Sequence, residues 1–144
     1  MNKVPTIITG TVGMDSHVIG TKIVSRAFKD AGFNVVALGI QVSPEEFIRV
    51  AQETDANAIL MSSLYGMADM DLQGFKQKMQ EAGLGNVLLY IGGILGIGRH
   101  DFKESEEIYK KLGFDRVYPP ESDLQVAIAD LKKDLKVKGV ASPK

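Results

Sequence analysis

Thr6-Ile7-Ile8-Thr9-Gly10-Thr11-Val12-Gly13-Met14-Asp15-Ser16-His17-Val18-Ile19-Gly20 passes from an apolar run through a glycine-bearing loop into helical spacing. The run Thr6–Gly10 lacks a clear polar/apolar alternation, as expected of a strand covered on both faces. Beyond the loop, Ile19, Ile23, Ala27 and Ala31 recur every four residues, and Val24 and Phe28 widen the stripe. Gly32 then reads as the helix C-cap. Strand, short loop and helix in this order form the repeating unit of an α/β fold.

The unit recurs along the chain. Apolar runs at Asn34–Leu38, Ala58–Ser62, Val87–Ile91 and Phe114–Tyr118 alternate with helical stretches. Ser43-Pro44-Glu45-Glu46 is a helix start, with Ser at the N-cap, Pro at N1 and Glu at N3 making a capping box. Leu72, Phe75, Met79 and Ala82 mark the third helix, which Gly83 ends. Ile108 and Leu112 mark the fourth, before Gly113. The fifth begins near Ser122-Asp123 and carries Leu124, Ile128, Leu131 and Leu135. Right-handed crossovers then predict a doubly wound, five-stranded parallel sheet of order 2-1-3-4-5, flavodoxin-like, with helices on both faces. Residues 1–137 make one domain, and 138–144 are expected to be a flexible tail. Ligands of such sheets bind beyond the carboxyl ends of the strands, near the switch between strands 1 and 3. The loops that matter are therefore Gly10–His17, Ser62–Asp69 and Gly92–Asp101.

Composition narrows the chemistry. The chain has 144 residues with 44% hydrophobic and 24% charged side chains, the profile of one ordinary globular domain. A formal net charge of -1 argues against a nucleic-acid or membrane-surface role. There is no cysteine, hence no disulfide, zinc-thiolate site or thiol nucleophile, which fits a reducing cytoplasm. No apolar run approaches the roughly 18–20 residues of a membrane span, and the N-terminal apolar stretch is too brief for a signal peptide.

Each loop offers something different. His17 falls where the first helix starts, at the binding edge, and Asp15 stands two residues before it. Imidazole ligates transition metals, and a carboxylate on its second nitrogen fixes the tautomer and raises basicity. By themselves these residues fit a helix-capping Asp beside a surface His somewhat better. One His and one Asp make no complete zinc site, and the other histidine, His100 beside Asp101, shows no tight ligand spacing. A metal that arrives with most of its ligands, as in haem or a corrinoid, needs only one from the protein. Ser62 and Ser63 place paired hydroxyls at a strand end, with apolar Leu64 and Tyr65 following; the same residues also suit an ordinary turn. Gly92-Gly93-Ile94-Leu95-Gly96-Ile97-Gly98 has four glycines in seven residues, so a bulky planar group could approach the backbone. A flexible turn would use the same glycines, and no Gly-Lys-Ser/Thr follows to make a phosphate loop. Together the loops form one crevice with an axial ligand on one wall, hydroxyls on another and glycine on the third.

Asp15-Ser16-His17-Val18-Ile19-Gly20 fits the Asp-x-His-x-x-Gly signature of cobalamin-binding domains that take the cofactor base-off and His-on. Ser62-Ser63-Leu64 and Gly92-Gly93 fit the companion motifs. Ala31-Gly32-Phe33-Asn34-Val35-Val36, Ser62-Ser63-Leu64-Tyr65-Gly66 and Phe114-Asp115-Arg116-Val117-Tyr118-Pro119-Pro120 resemble the small (sigma) subunit of the glutamate mutase, or methylaspartate mutase, family. The resemblance covers about residues 5–135. Two positions depart from residues common there: Ile94, where Asn often follows the Gly-Gly pair, and Ser16, where Cys often separates Asp from His.

The resemblance implies a Rossmann-like cobalamin-binding domain that grips the nucleotide tail between the sheet and the first helix. It implies His17 as the axial cobalt ligand, oriented by Asp15. Met14, Asp15, Ser16, His17, Val18 and Gly20 would form the first contact segment; Ser62, Ser63 and Leu64 the second; Gly92, Gly93, Ile94, Leu95, Gly96, Ile97 and Gly98 the third. The implied cofactor is adenosylcobalamin (coenzyme B12). The implied activity is that of an isomerase, the radical rearrangement of L-glutamate to L-threo-3-methylaspartate in glutamate degradation. The substrate pocket would lie in a larger epsilon subunit, in a heterotetramer of two sigma and two epsilon chains, with no nucleic acid or membrane involved. No acid/base or nucleophilic residue is required of this chain.

Other carbon-skeleton mutases use similar modules, usually fused into longer chains. A methyl-transfer corrinoid carrier usually adds a helical cap, for which this length leaves no room. A flavodoxin-type electron carrier would give Asp15 and His17 no role. A receiver-type signalling domain needs an aspartate ending strand 3, where Ser62-Ser63 stands.

Overall fold

A computed structural model describes residues 4–11, 18–63, 72–93, 102–118 and 123–139, with the backbone alone at 18–21, 63, 93, 102 and 105. Met14, Asp15, Ser16, His17, Leu64 and Ile94–Gly98 lie outside the described residues. The elements alternate as β1 (Thr6–Thr11), α1 (Val18–Asp30), β2 (Asn34–Ala37), α2 (Pro44–Thr54), β3 (Ala58–Ser63), α3 (Phe75–Glu81), β4 (Leu88–Gly93), α4 (Phe102–Lys111), β5 (Arg116–Tyr118) and α5 (Leu124–Val137). The sheet has five strands in the order β2-β1-β3-β4-β5, every pair parallel. This is the expected doubly wound order.

Successive strand residues point to opposite faces, and each face builds its own core. On one face Ile7, Ala58, Leu60, Leu88 and Tyr90 pack with Phe28 of α1 and with Ala127, Ile128, Leu131 and Leu135 of α5. On the other, Ile8, Ile59, Met61, Leu89, Ile91 and Val117 pack with Phe47, Val50 and Ala51 of α2, Phe75 and Met79 of α3, and Tyr109 of α4. The edge strand β2 is partly exposed along its length, which departs from the expectation that the strands are buried on both faces.

A recurring turn returns each helix to the sheet. After α1, Gly32 adopts φ 99°, its N–H bonds Lys29 C=O at 3.0 Å, and Phe33 N–H bonds Phe28 C=O at 3.2 Å. That is the double bond pattern of a Schellman cap, and the accompanying apolar contact is the Phe28–Phe33 ring pair at 5.7 Å. After α4 the pattern repeats: Gly113 N–H bonds Lys110 C=O, Phe114 N–H bonds Tyr109 C=O, and the Tyr109 and Phe114 rings meet at 6.0 Å. Leu84 N–H to Met79 C=O closes α3 in the same way. Asp55 takes the left-handed position after α2, at φ 54°. In each case the next residue (Phe33, Ala56, Leu84 or Phe114) is wholly or partly buried, so the cap steers the chain into the following strand.

Ile23 and Ile108, each in an expected apolar stripe, sit differently from the sequence expectation. Ile23 is 54% exposed and Ile108 41% exposed, while Phe28 and Tyr109 are fully buried. The helices are rotated so that the aromatic residues face the sheet, where they remove more apolar area from water. The Ser43 N-cap forms, its Oγ accepting from Glu46 N–H at 3.1 Å. The Glu46 carboxylate pairs with Arg49. β5 begins at Arg116 rather than Phe114, because Phe114 belongs to the cap and Asp115 bridges to β4 through Leu89 N–H at 2.9 Å.

Candidate functional site

The carboxyl ends of the strands hold the residues expected to bind a ligand. Ser62 and Ser63 are the last residues of β3, and Gly92 and Gly93 the last of β4. Register pairs Ser62 with Gly92 and Ser63 with Gly93, so two loops read separately in the sequence start side by side. Thr11, ending β1, pairs with Ser62, and Tyr118, ending β5, pairs with Gly92. Thr11, Ser62, Gly92 and Tyr118 thus form one row across the top of the sheet, on the face covered by α1 and α5.

The row is polar and low. Thr11 is buried, Ser62 and Tyr118 are half-buried, and a Cβ added at Gly92 would meet Tyr118 Cβ at 3.5 Å. Glycine there leaves the backbone bare of a side chain between Ser62 and Tyr118. These features fit a large cofactor tail laid across the strand ends. Val18 and Gly20 lie in the first turn of α1, directly after the Asp15–His17 segment.

Neighbouring contacts hold the row in place. The Gly39–Val42 segment runs beside the end of β1: Thr11 N–H donates to Gly39 C=O at 2.8 Å, and Val42 N–H donates to Thr11 C=O at 2.9 Å. One step lower, the hydroxyls of Thr9 on β1 and Ser25 on α1 are 2.6 Å apart. At the other edge Tyr118 Oη donates to Asp130 Oδ2 of α5 at 2.7 Å. Arg116 Nε and Nη2 grip the Asp134 carboxylate at 2.7 and 2.9 Å, and the Tyr90 hydroxyl donates to the same group. Burial and the nearby carboxylates push both tyrosine hydroxyls above their ordinary range. The hydrogen bond from Arg116 holds the Asp134 carboxyl below its ordinary value.

Thr9, Thr11, Ser25 and the Arg116–Asp130–Asp134 group went unnoticed as site residues in the sequence. Asp130 and Asp134 had only the i,i+4 spacing of two acids on a helix that also carries Lys132, Lys133 and Lys136.

The fold is that of a doubly wound flavodoxin-like domain. The sequence model described as "B12 binding domain" matches residues 5–118. A crystal structure of a novel cobalamin-binding protein from Desulfitobacterium hafniense DCB-2 superposes with TM-score 0.74 at 20% identity, over 92% of this chain and 60% of that one. A response-regulator receiver domain from Mycobacterium tuberculosis reaches TM-score 0.63 at 16% identity, over 91% of this chain and 98% of that one. These two likenesses establish the fold alone. Sequence relatives are more specific. Glutamate mutase sigma subunit 2 of Haloarcula marismortui is 55% identical over 130 residues, 90% of this chain and 87% of its own. The glutamate mutase sigma subunit of Clostridium cochlearium is 48% identical over 132 residues, 92% of this chain and 96% of its own. The chain belongs to the B12-binding domain family, in the branch of the glutamate mutase sigma subunits.

Proposed function

We propose that this chain is the cobalamin-binding subunit of an adenosylcobalamin-dependent glutamate mutase. It would act with a larger epsilon subunit, two chains of each, to interconvert L-glutamate and L-threo-3-methylaspartate. The observation that carries the reading is the 55% and 48% identity to sigma subunits over nearly the full length of both partners. The row Thr11–Ser62–Gly92–Tyr118 supports it, because a cradle of hydroxyls and bare backbone suits the tail of such a cofactor.

When bound, adenosylcobalamin supplies the carbon-centred radical chemistry. His17 would hold the cobalt in this reading, and Asp15 would accept the imidazole's second N–H, keeping the metal-facing nitrogen basic. Met14, Ser16, Val18 and Gly20 complete the first contact segment, with Gly20 letting the tail lie close to α1. Ser62, Ser63 and Leu64 hold the tail from β3. Gly92 and Gly93, with Ile94, Leu95, Gly96, Ile97 and Gly98, line the third wall. Residues 1–137 are the working domain and 138–144 a tail. In this reading the chain works in the cytoplasm. Among the described residues no helix is long and apolar enough to cross a membrane.

A methyl-transfer corrinoid carrier is the competing reading. It is less well supported: this chain spans 58% of the Methanosarcina barkeri monomethylamine corrinoid protein at 21% identity. The test mixes the purified chain with a glutamate mutase epsilon subunit and adenosylcobalamin and assays methylaspartate. The expected result is turnover that depends on both chains. Turnover only with another mutase's large subunit, or none, would overturn the assignment.

A further inference from the structure

Tyr118 is the outer end of the strand-end row, and it is not held by the sheet alone. Its hydroxyl donates to Asp130 of α5 at 2.7 Å. One helical turn further on, Asp134 takes two hydrogen bonds from Arg116 and one from Tyr90, a register pair two residues below Gly92 and Tyr118 on the same face. Arg116 Nη1 also lies 3.6 Å from Asp130 Oδ1, which closes the two pairs into one network. The Tyr90 and Tyr118 rings meet at 5.8 Å. The side chains of Asp130 and Asp134 are only 24% and 19% exposed, so the network sits between helix and sheet rather than in solvent. Buried polar groups with full sets of partners fix one arrangement of the elements they join.

We propose that Asp130 and Asp134 are positioning residues for the cofactor: they register α5 against β4 and β5 and hold the Tyr118 ring at the end of the Thr11–Ser62–Gly92 row. This rests on the cobalamin-binding reading above. The wall at the β5 edge is thereby set before the cofactor enters, so ordering it costs nothing on binding. Asp130 and Asp134 act through Tyr118 and Arg116, not by touching the ligand.

A merely structural role is separated by a control at the other end of the same strands. Asp115 ties β5 to β4 through Leu89 N–H, well below the row. Methylcobalamin is titrated into the wild-type chain and into Tyr118→Phe, Asp130→Ala, the double variant and Asp115→Ala, following the base-off spectrum. Tyr118→Phe and Asp130→Ala should each weaken binding about tenfold, as for other supporting-shell residues. The double variant should bind no more weakly than Asp130→Ala alone, since Tyr118→Phe removes a tie that Asp130→Ala already breaks. Asp115→Ala should stay within about twofold of wild type. Near-wild-type affinity in both single variants would overturn the proposal and leave the cobalamin reading intact. Equal weakening by Asp115→Ala, or multiplicative loss in the double variant, would also overturn it. A wild-type chain that binds no methylcobalamin would overturn the cobalamin reading, and this inference with it.

Discussion

Gly10 and Asp134 show how single residues carry the account. Gly10 sits in β1 against α2, and a Cβ there would lie 3.0 Å from Phe47 Cζ, 3.1 Å from Phe47 Cε1 and 3.3 Å from Val42 Cγ2. Phe47 is fully buried. Gly10→Ala should therefore cost about 1–3 kcal/mol in urea unfolding, the usual range for overpacking; an unchanged midpoint would show that the core yields. Asp134 gives a pH signature. Its carboxyl is held below the ordinary value, first by the hydrogen bond from Arg116, so it contributes stability above its unfolded pKa of about 4 and loses it as pH falls through the lower folded value. Asp134→Asn should cost about 1–3 kcal/mol at pH 7, below the range for a fully buried pair because the site is partly wet. The difference from wild type should shrink below about pH 4. A pH-independent difference would remove the carboxylate's charge from the explanation. At this scale the sequence spoke unevenly. Asp15 and His17 stand out because their spacing at a helix start has a chemical reason. Asp130 and Asp134 do not, because two acids among lysines on a helix look the same whether they face water or a buried arginine.

Elements were readable where local chemistry decides them and less so where packing does. The Ser43-Pro44-Glu45-Glu46 start was legible because the cap is made within one turn, and the Ser43 bond is present. Ser43→Ala should cost about 1 kcal/mol, with α2 amides exchanging faster; unaltered exchange would mean that Pro44 and core packing alone fix the start. The Gly32, Gly83 and Gly113 stops were legible for the same local reason. The phase of a helical stripe was not. Spacing of four residues identifies a helix, but it put Ile23 in the stripe beside Phe28, and Ile108 rather than Tyr109 toward the sheet. The choice depends on the volume available beneath, which only the assembled sheet defines. The shortness of β5 is another such case: Phe114 reads as a strand residue by propensity but is drawn into the ring cluster with Tyr109 and Phe75.

Over the whole molecule, alternation of strand and helix with right-handed crossovers leaves few topologies, and the 2-1-3-4-5 order follows. That order is also what gathers Thr11, Ser62, Gly92 and Tyr118 into one row from four distant segments, a consequence no single motif displays. In the function proposed above, this chain would supply the cobalt ligand from His17. Cobalt(II) EPR of the cobalamin complex tests this most directly. The account predicts superhyperfine coupling from a protein histidine nitrogen that changes on labelling histidine with nitrogen-15 and disappears in His17→Gly. Coupling unaffected by either change would show that the cofactor's own base remains on the metal, and would contradict the account.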